Sequence, residues 1–194
     1  KLPKSDKFIL EAGTPLLKRY GIDIISKIKK YFPENLILAD LKTLDVGEIE
    51  IDFSFKAGAD MAVCSGLANP LSIDKFLKAA HDNHILGVVD LMEVYNPIEK
   101  LKELKEKPDI LIFHRAIDAE SGLTNPQSRW RMISKIKEFY KPDHEVKLAV
   151  AGGITPDTGK IALSMGADIL IVGRYITAAG NITQAANNML ALIE

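Results

Sequence analysis

The densest cluster of groups that could do chemistry is the segment Asp40-Leu41-Lys42-Thr43-Leu44-Asp45. Here two carboxylates flank one ammonium, an arrangement that keeps a lysine charged and oriented. A lysine held in this way can stabilise a developing oxyanion or transfer a proton. The spacing also permits a second interpretation, because Asp45 could simply cap a helix through Gly47 and Glu48.

Polar residues or glycines follow each of seven short apolar runs. The runs are Phe8–Leu10, Leu36–Ala39, Met61–Cys64, Ile85–Val89, Ile110–Phe113, Leu148–Ala151 and Ile169–Val172. In the same order, they are followed by Glu11, Asp40, Ser65-Gly66, Asp90, His114, Gly152-Gly153 and Gly173-Arg174. Near-continuous apolar runs indicate strands of a parallel sheet that is buried on both faces. Because ligands bind at the carboxyl ends of such strands, the sequence predicts that these polar groups share one face.

Helical patterns separate the predicted strands. They cover Val46–Lys56, Ser72–Asn83, Pro97–Lys105, Pro126–Tyr140, Pro156–Met165 and Ile182–Ile193, with another after Pro15. Gly58 and Gly166 are placed to end helices just before strands. Seven βα units predict an α/β fold of the (β/α)8 TIM-barrel type whose first unit would precede Lys1, and an open doubly wound sheet is the alternative. The two late glycine turns favour the barrel, because such barrels bind phosphate after strands seven and eight.

Composition predicts a single domain, residues 1–194, in the cytoplasm. The chain has 25 basic and 26 acidic residues, a net charge of −1 at pH 7 and 47% hydrophobic residues. Its lysines are spread over helical segments, so no basic patch argues for nucleic acid, and its apolar runs are far too short to cross a bilayer. Cys64 is the only cysteine, which excludes an intrachain disulfide and suits a reducing compartment.

The motifs, taken in order, resemble those of the orotidine 5′-monophosphate decarboxylase superfamily. The segment around Asp40, Lys42 and Asp45 resembles its Asp-x-Lys-x-x-Asp motif. Within the superfamily, the chain resembles the 3-hexulose-6-phosphate synthases and the 3-keto-L-gulonate-6-phosphate decarboxylases along nearly its whole length. The other similar segments are Glu11-Ala12-Gly13-Thr14-Pro15, Asp90, His114 with Asp118, Val150-Ala151-Gly152-Gly153-Ile154 and Ile171-Val172-Gly173-Arg174.

This resemblance implies a metal-dependent reaction of a sugar phosphate. Glu11 and Asp40 would bind Mg²⁺, which prefers hard oxygen ligands. The ion would hold a carbonyl and an adjacent hydroxyl oxygen of the substrate and stabilise a cis-enediolate. His114 would carry a proton. Alternatively, Glu11 forms a salt bridge with a lysine and His114 is a buried histidine bonded to a backbone carbonyl.

The remaining implied site residues divide between catalysis and substrate binding. Lys42, Asp45 and His114 are the implied catalytic residues. Besides Asp40, the implied substrate contacts are Asp90, Gly152, Gly153, Gly173 and Arg174, of which the glycines and the arginine would hold phosphate.

Two positions separate the synthases from the decarboxylases. The decarboxylases carry an arginine where this chain has Ile117, and tend to carry glutamate where it has Asp90. Both differences favour the synthase, which joins formaldehyde to D-ribulose 5-phosphate reversibly and gives D-arabino-3-hexulose 6-phosphate. Arg115 departs from the commonest synthase pattern, in which a small residue follows the histidine. A decarboxylase and a non-catalytic sugar-phosphate-binding barrel are the alternatives.

The resemblance also implies a homodimer with shared active sites. In the family, the second aspartate of the motif reaches the partner's site, so Asp45 of one subunit would pair with Lys42 of the other. The helix that follows is rich in large apolar residues, namely Ile49, Ile51, Phe53 and Phe55, and a dimer would cover the excess. The family's first-strand aspartate has no counterpart here. A unit preceding Lys1 would supply it if the chain is a domain fused behind another enzyme.

Overall fold

The chain alternates strands with helices in a computed structural model that describes residues 2–3, 5–114, 130, 132–140 and 145–193. It divides into two compact units, one of residues 6–110 and the other of residues 1–5 together with 111–194. The expectation of a single domain stays a prediction. No helix among the described residues is long and apolar enough to cross a membrane.

The unit of residues 6–110 contains four parallel strands in chain order. Its elements are β1 (Ile9–Ala12), α1 (Thr14–Tyr20), α2 (Asp23–Tyr31), β2 (Leu36–Thr43), α3 (Gly47–Ala57), β3 (Met61–Ser65), α4 (Pro70–Asp82), β4 (Leu86–Asp90) and α5 (Pro97–Lys102). Neighbouring strands pair in the order β1, β2, β3 and β4. This is the arrangement that repeated βα units produce, because each helix returns the chain to the start of the next parallel strand.

The second unit continues the alternation. Its elements are β5 (Ile110–His114, which begins at the boundary), α6 (Met132–Tyr140), β6 (Lys147–Ala151), α7 (Pro156–Ser164), β7 (Ile169–Ile171), α8 (Arg174–Thr177) and α9 (Ile182–Leu190). Strands β6 and β7 are parallel neighbours, with Ala151 beside Ile171. Residues 126–129 and 131, which the sequence assigns to the helix before Tyr140, lie outside the described residues.

All seven predicted strands are present with bounds that mostly differ by one or two residues, but β2 extends four residues beyond its predicted end. The predicted run Leu36–Ala39 continues through Asp40 and Lys42 to Thr43. The predicted end of this strand at Ala39 is therefore wrong, because Lys42 lies within β2. The strand continues because Thr43 still pairs with Cys64 of β3.

Most side chains of the strands are apolar and are buried in the core. Ile37, Val63, Val88, Leu111 and Leu148 are no more than 1% exposed. Burial on this scale stabilises the fold by about 25 cal/mol per Å² of apolar surface removed from water. The few polar groups inside this apolar framework must therefore be held by specific partners.

Glycines act where the sequence predicts. Gly58 ends α3 with φ 89° and Gly166 follows α7 with φ 98°, the left-handed conformation that favours glycine at the end of a helix. A different constraint acts at Gly47, where a Cβ atom would lie 2.8 Å from the Cβ of Phe76 on α4. Only glycine allows α3 and α4 to approach so closely.

Three aspartates repeat one arrangement at the start of alternate strands. We call Asp60, Asp109 and Asp168 the clamp aspartates, and each immediately precedes a strand, β3, β5 or β7. The backbone N–H of each donates to the carbonyl of the second residue in the preceding strand (2.7–2.9 Å). A carboxylate oxygen accepts the N–H of that same residue, which is Ile37, Gly87 or Leu148.

Each clamp aspartate also contacts a basic side chain. This side chain comes from the helix that precedes the first of the two strands, namely α2 before β2, α4 before β4 and α6 before β6. Lys29 of α2 lies 2.9 Å from Asp60, His81 of α4 lies 3.2 Å from Asp109, and Lys137 of α6 lies 3.1 Å from Asp168. Each clamp thus joins one helix and two adjacent strands through side-chain and backbone contacts. The chain closes three successive βαβ segments in the same way.

Candidate functional site

Lys42 lies between two carboxylates from different strands. Its Nζ is 3.0 Å from Oδ1 and 3.1 Å from Oδ2 of Asp40, and 2.7 Å from Oδ2 of Asp90. Asp90 is 1% exposed and Asp40 is 7% exposed, so both carboxylates are withdrawn from bulk water. Buried charges need such pairing, because an isolated charge would pay a large desolvation cost.

A shift in the register of β2 relative to β3 changes the direction of the Lys42 side chain. Ala39 pairs with Ala62 and Thr43 pairs with Cys64, so four steps along β2 match two along β3. A bulge of this kind redirects side chains. Lys42 itself has φ 51°, a left-handed backbone that is strained for a residue with a side chain. Such strain persists only where surrounding contacts hold it, and it is frequent at functional sites.

Contacts on the far side of the bulge hold its position. The Thr43 hydroxyl, which is buried, donates a hydrogen bond to Oε2 of Glu50 on α3. Val46 is also left-handed, with φ 51°, and immediately precedes α3. The segment between Lys42 and Val46 is thus bounded at both ends by an unfavourable backbone conformation.

Asp40 is held by the start of α1 as well as by Lys42. The hydroxyl of Thr14, the first residue of α1, lies 2.8 Å from Oδ2 and 2.8 Å from the backbone carbonyl oxygen of Asp40. Thr14 is not among the site residues that the sequence predicts. The available signal was its place in the segment Glu11-Ala12-Gly13-Thr14-Pro15, three residues after the predicted ligand Glu11.

Asp90 is oriented by its own loop. Its Oδ1 accepts the N–H of Met92 at 2.8 Å, which leaves Oδ2 directed at Lys42. The Asp90 carbonyl accepts the N–H of Gly66 at 2.7 Å, and a Cβ atom on Gly66 would lie 3.0 Å from that oxygen. Gly66 therefore lets the end of β3 lie close against the end of β4.

The charge of Lys42 is secured by these two acids. Burial by itself lowers the pKa of Lys42, but the charges of Asp90 and Asp40 and their hydrogen bonds outweigh it, so the pKa is raised above its ordinary value. The lysine is thus a cation at neutral pH. In this state it can stabilise negative charge or donate a proton, but it cannot act as a base.

Glu11 and Asp40 share one face of neighbouring strands. Glu11 pairs with Leu38, and Asp40 lies two residues further along β2, so the alternation of side chains directs both acids to the same side. Among the described residues, no group of three or more histidine, cysteine or acidic side chains is placed to hold a metal. Mg²⁺ is commonly bound by only one or two protein carboxylates together with water and substrate oxygens, so this pair suits it.

Asp45 is exposed and does not cap α3. The residue at the N-cap of α3 is Val46, which makes no side-chain capping bond. In the described part of the chain, Asp45 has no hydrogen-bond or ion-pair partner. The interpretation of Asp45 as a helix cap is therefore wrong.

The other predicted site residues lie in the second unit. His114 is the last residue of β5 and is half-buried. Gly152 and Gly153 follow β6 with φ 90° and 65°, and Gly173 lies between β7 and Arg174, the exposed first residue of α8. Because β6 and β7 are neighbours, both glycine turns lie at the same end of adjacent strands, as the sequence predicts.

The described structure assigns no site role to four other residues that the sequence analysis names. Asp118, Arg115 and Ile117 lie outside the described residues. Cys64 is fully buried in β3, and this burial raises the pKa of its thiol, so it packs as an apolar side chain.

Known proteins are similar to this chain in sequence and in fold. The profile of the Orotidine 5'-phosphate decarboxylase / HUMPS family matches residues 1–189. A bifunctional enzyme Fae/Hps of Methanosarcina mazei is 44% identical over 190 residues, which are 98% of this chain and 47% of that protein. A protein of the same name from Methanococcoides burtonii is 44% identical over 191 residues, 98% of this chain and 47% of that protein. The chain thus spans about half the length of these curated relatives.

Solved structures of two 3-hexulose-6-phosphate synthases are similar to this chain in fold. A 3-hexulose-6-phosphate synthase superposes with a TM-score of 0.84 at 31% identity and covers 96% of this chain and 87% of its own. The synthase from Salmonella typhimurium gives a TM-score of 0.83 at 32% identity, over 95% of this chain and 85% of its own. The predicted TIM-type (β/α)8 barrel is confirmed. The chain belongs to the orotidine 5'-phosphate decarboxylase / HUMPS family.

Proposed function

We propose that this chain is a Mg²⁺-dependent aldolase, a carbon–carbon lyase that joins formaldehyde and D-ribulose 5-phosphate to D-arabino-3-hexulose 6-phosphate reversibly. The observation that carries the proposal is the placement of Lys42 between the buried carboxylates of Asp40 and Asp90. An aldol reaction of this kind passes through a cis-enediolate, an anion that a fixed cation stabilises. The likeness to two solved 3-hexulose-6-phosphate synthases supports the same reaction.

The ammonium of Lys42 would act on charge that develops during the reaction. Removal of a proton from C1 of D-ribulose 5-phosphate gives the enediolate, whose carbon then attacks the carbonyl carbon of formaldehyde. The formaldehyde oxygen gains the electron pair and takes up a proton. Lys42 stabilises the enediolate oxygen, and its charge is already oriented by Asp40 and Asp90 before the substrate arrives.

Glu11 and Asp40 are the residues that would hold Mg²⁺. Asp40 Oδ1 accepts one hydrogen bond in the described structure, from Lys42, and a carboxylate oxygen has two lone pairs. When bound, the ion supplies positive charge to a carbonyl and an adjacent hydroxyl oxygen of the substrate. Mg²⁺ retains waters readily, so two protein ligands are enough.

His114 is the proposed proton carrier, and the glycine turns are the proposed phosphate site. A neutral imidazole can take the C1 proton and return it near neutral pH. Gly152 and Gly153, which follow β6 beside β7, have no side chains of their own to keep an anion from their backbone, and Arg174 adds an exposed positive charge. Such groups favour an anion.

Two observations favour the synthase over a 3-keto-L-gulonate-6-phosphate decarboxylase. At the position where the decarboxylases tend to carry glutamate, this chain has the shorter aspartate, Asp90, whose contact with Lys42 is 2.7 Å. The synthase structures are 31% and 32% identical to this chain, whereas the decarboxylase from Streptococcus mutans is 25% identical at a TM-score of 0.83, over 95% of this chain and 84% of its own.

The exposed surface beside Asp45 supports a homodimer. Val46, Ile49 and Phe53 are 50–55% exposed and spaced so that they lie along one face at the start of α3. A neighbouring copy that covers this face would place its own residues near Asp45. We propose that each Asp45 completes the partner subunit's site at Lys42.

The deciding experiment measures formaldehyde release from D-arabino-3-hexulose 6-phosphate, with Mg²⁺ and then with EDTA. We expect release that requires the metal. Carbon dioxide release from 3-keto-L-gulonate 6-phosphate would instead assign the decarboxylase. Sugar-phosphate binding without either product would assign a non-catalytic barrel, and metal-independent formaldehyde release would exclude the metal-assisted mechanism.

A further inference from the structure

Thr14 connects the start of α1 to Asp40 on the neighbouring strand β2. It is the first residue of α1, it is separated from the end of β1 by Gly13 alone, and it is half-buried. Its hydroxyl oxygen lies 2.8 Å from Asp40 Oδ2 and 2.8 Å from the Asp40 carbonyl oxygen, and its backbone nitrogen is 3.4 Å from Oδ2. Side chain and backbone of Thr14 thus converge on a single residue.

This contact acts where Asp40 is otherwise least constrained. The torsion that rotates an aspartate carboxylate has broad energy wells, so neighbouring groups decide its orientation. The register of β2 shifts directly after Ala39, which removes regular strand pairing at Asp40. Lys42 cannot fix the carboxylate alone, because its ammonium is also drawn toward Asp90.

Thr14 has a single hydroxyl proton, and both acceptors that it contacts in the described part of the chain belong to Asp40. Donation to Oδ2 sets the carboxylate plane, and donation to the carbonyl holds the backbone at the bulge. Either bond keeps Oδ1 and Oδ2 in reach of the Lys42 ammonium at 3.0 and 3.1 Å. The position of that ammonium therefore depends on a residue that is not itself charged.

We propose that Thr14 is a positioning residue that orients the Asp40 carboxylate and, through it, keeps the Lys42 ammonium shared between Asp40 and Asp90. It acts through Asp40 without contacting the substrate. Its kinetic consequence rests on the proposed aldolase function, but its structural consequence does not.

The kinetic test compares Thr14→Val with Thr14→Ser. Valine keeps the shape and removes the hydroxyl, whereas serine keeps the hydroxyl. For Thr14→Val we expect kcat to fall about 10- to 100-fold, as for loss of one hydrogen bond to a charged group, with a much smaller change in KM. Thr14→Ser should recover most of kcat. Thr14→Ala is a second variant without the hydroxyl, should valine prevent folding.

Ser26→Ala is the matched control. The Ser26 hydroxyl donates to the carbonyl of Ala57 at 3.0 Å, so the variant loses one hydroxyl-to-backbone bond in the same unit without touching Asp40. We expect Ser26→Ala to affect resistance to urea but not kcat. A Thr14→Val enzyme that behaves like Ser26→Ala, or a Thr14→Ser enzyme as slow as Thr14→Val, would overturn the proposal.

Crystal structures of the wild type and Thr14→Val separate this proposal from the aldolase assignment. We expect the Asp40 carboxylate to rotate in the variant and its contact with Lys42 to lengthen. If the wild type releases no formaldehyde, the aldolase assignment fails, and the two structures still decide the role of Thr14. An Asp40 carboxylate in the same orientation in both would refute the positioning role.

Discussion

Lys42 on β2 forms a 2.7 Å ion pair with Asp90 at the end of β4, and strand β3 lies between them. Neighbouring strands are about 4.8 Å apart, so the lysine must extend across a whole strand to reach its partner. The bulge and the left-handed backbone at Lys42 make this reach possible. The position of the Lys42 ammonium therefore depends on the backbone conformation of β2.

Replacement of Lys42 by alanine should slow catalysis far more than it weakens substrate binding. The ammonium is proposed to stabilise charge that is larger in the transition state than in the substrate. Loss of one such contact typically costs about 10²–10³ in kcat. Steady-state kinetics would measure this, with Lys78→Ala as the control, because Lys78 pairs with Asp82 on an exposed helix surface. An effect confined to KM would mean that Lys42 only binds substrate.

Replacement of Asp90 by asparagine should lower the pKa of Lys42. Burial lowers this pKa, and the Asp90 charge is the largest contribution that raises it. Because the folded pKa is raised above 10.5, the stabilisation from this lysine is present below that pH and is lost as pH rises through the folded value. In Asp90→Asn the loss should be smaller and should be complete at lower pH, because the folded pKa lies nearer to the unfolded value. Unfolding measured across alkaline pH would detect it, and an unchanged profile would contradict it.

The sequence predicted the parts of the molecule that depend on local patterns. Buried parallel strands appear as apolar runs, and helix-ending glycines appear at Gly58 and Gly166, because both depend on neighbouring residues alone. The acids Asp40 and Asp90 were identified for the same reason, since each follows an apolar run. The pairing of Asp90 with Lys42 was not, because it depends on the register of three strands.

Long-range contacts account for the remaining differences. The left-handed backbone of Lys42 and Val46 contradicts local preference and is held by tertiary contacts. The bond from Thr14 to Asp40 joins residues 26 positions apart. The clamp aspartates left a visible signal, because Asp60 and Asp168 each follow a glycine turn directly before a strand, but their backbone partners lie on other strands.

Each clamp aspartate should contribute to stability. In Asp60→Ala the N–H of buried Ile37 would lose its acceptor, and an unsatisfied buried donor costs about 1–3 kcal/mol. Asp109→Ala and Asp168→Ala should behave alike, because Gly87 and Leu148 lose equivalent bonds. Urea unfolding would measure the losses. The control is Asp52→Ala, which removes only an exposed pair with Lys56, and equal effects in control and clamp variants would contradict the role.

The phosphate of the substrate should be essential if the glycine turns bind it. We expect D-ribulose without phosphate to be a very poor substrate and Arg174→Ala to raise KM for D-ribulose 5-phosphate, because the exposed guanidinium is proposed to pair with phosphate oxygens. Competition by inorganic phosphate would check the same site. Equal use of the phosphorylated and unphosphorylated sugars would leave the turns around Gly153 and Gly173 with a structural role only.

The proposed homodimer makes a prediction about shared sites. The Lys42 ammonium has three protons, and in the described structure its partners are Asp40 and Asp90 of its own subunit. The ammonium already contacts both carboxylate oxygens of Asp40 and one of Asp90, so the exposed Asp45 of a partner subunit would share it with these oxygens. The apolar side chains that flank Asp45 give the surface such a dimer would bury, with Leu44 at 58% and Val46 at 55% exposure.

Mixing two inactive variants tests this sharing directly. A dimer of one Lys42→Ala subunit and one Asp45→Ala subunit has one site with neither residue and one site with both. In a random equal mixture, half of the dimers are mixed and each has one intact site of two, so we expect about a quarter of wild-type activity. Each variant alone should remain inactive. Sedimentation would establish the dimer, and no recovery in dimers shown to be mixed would exclude a catalytic role for Asp45 across the interface.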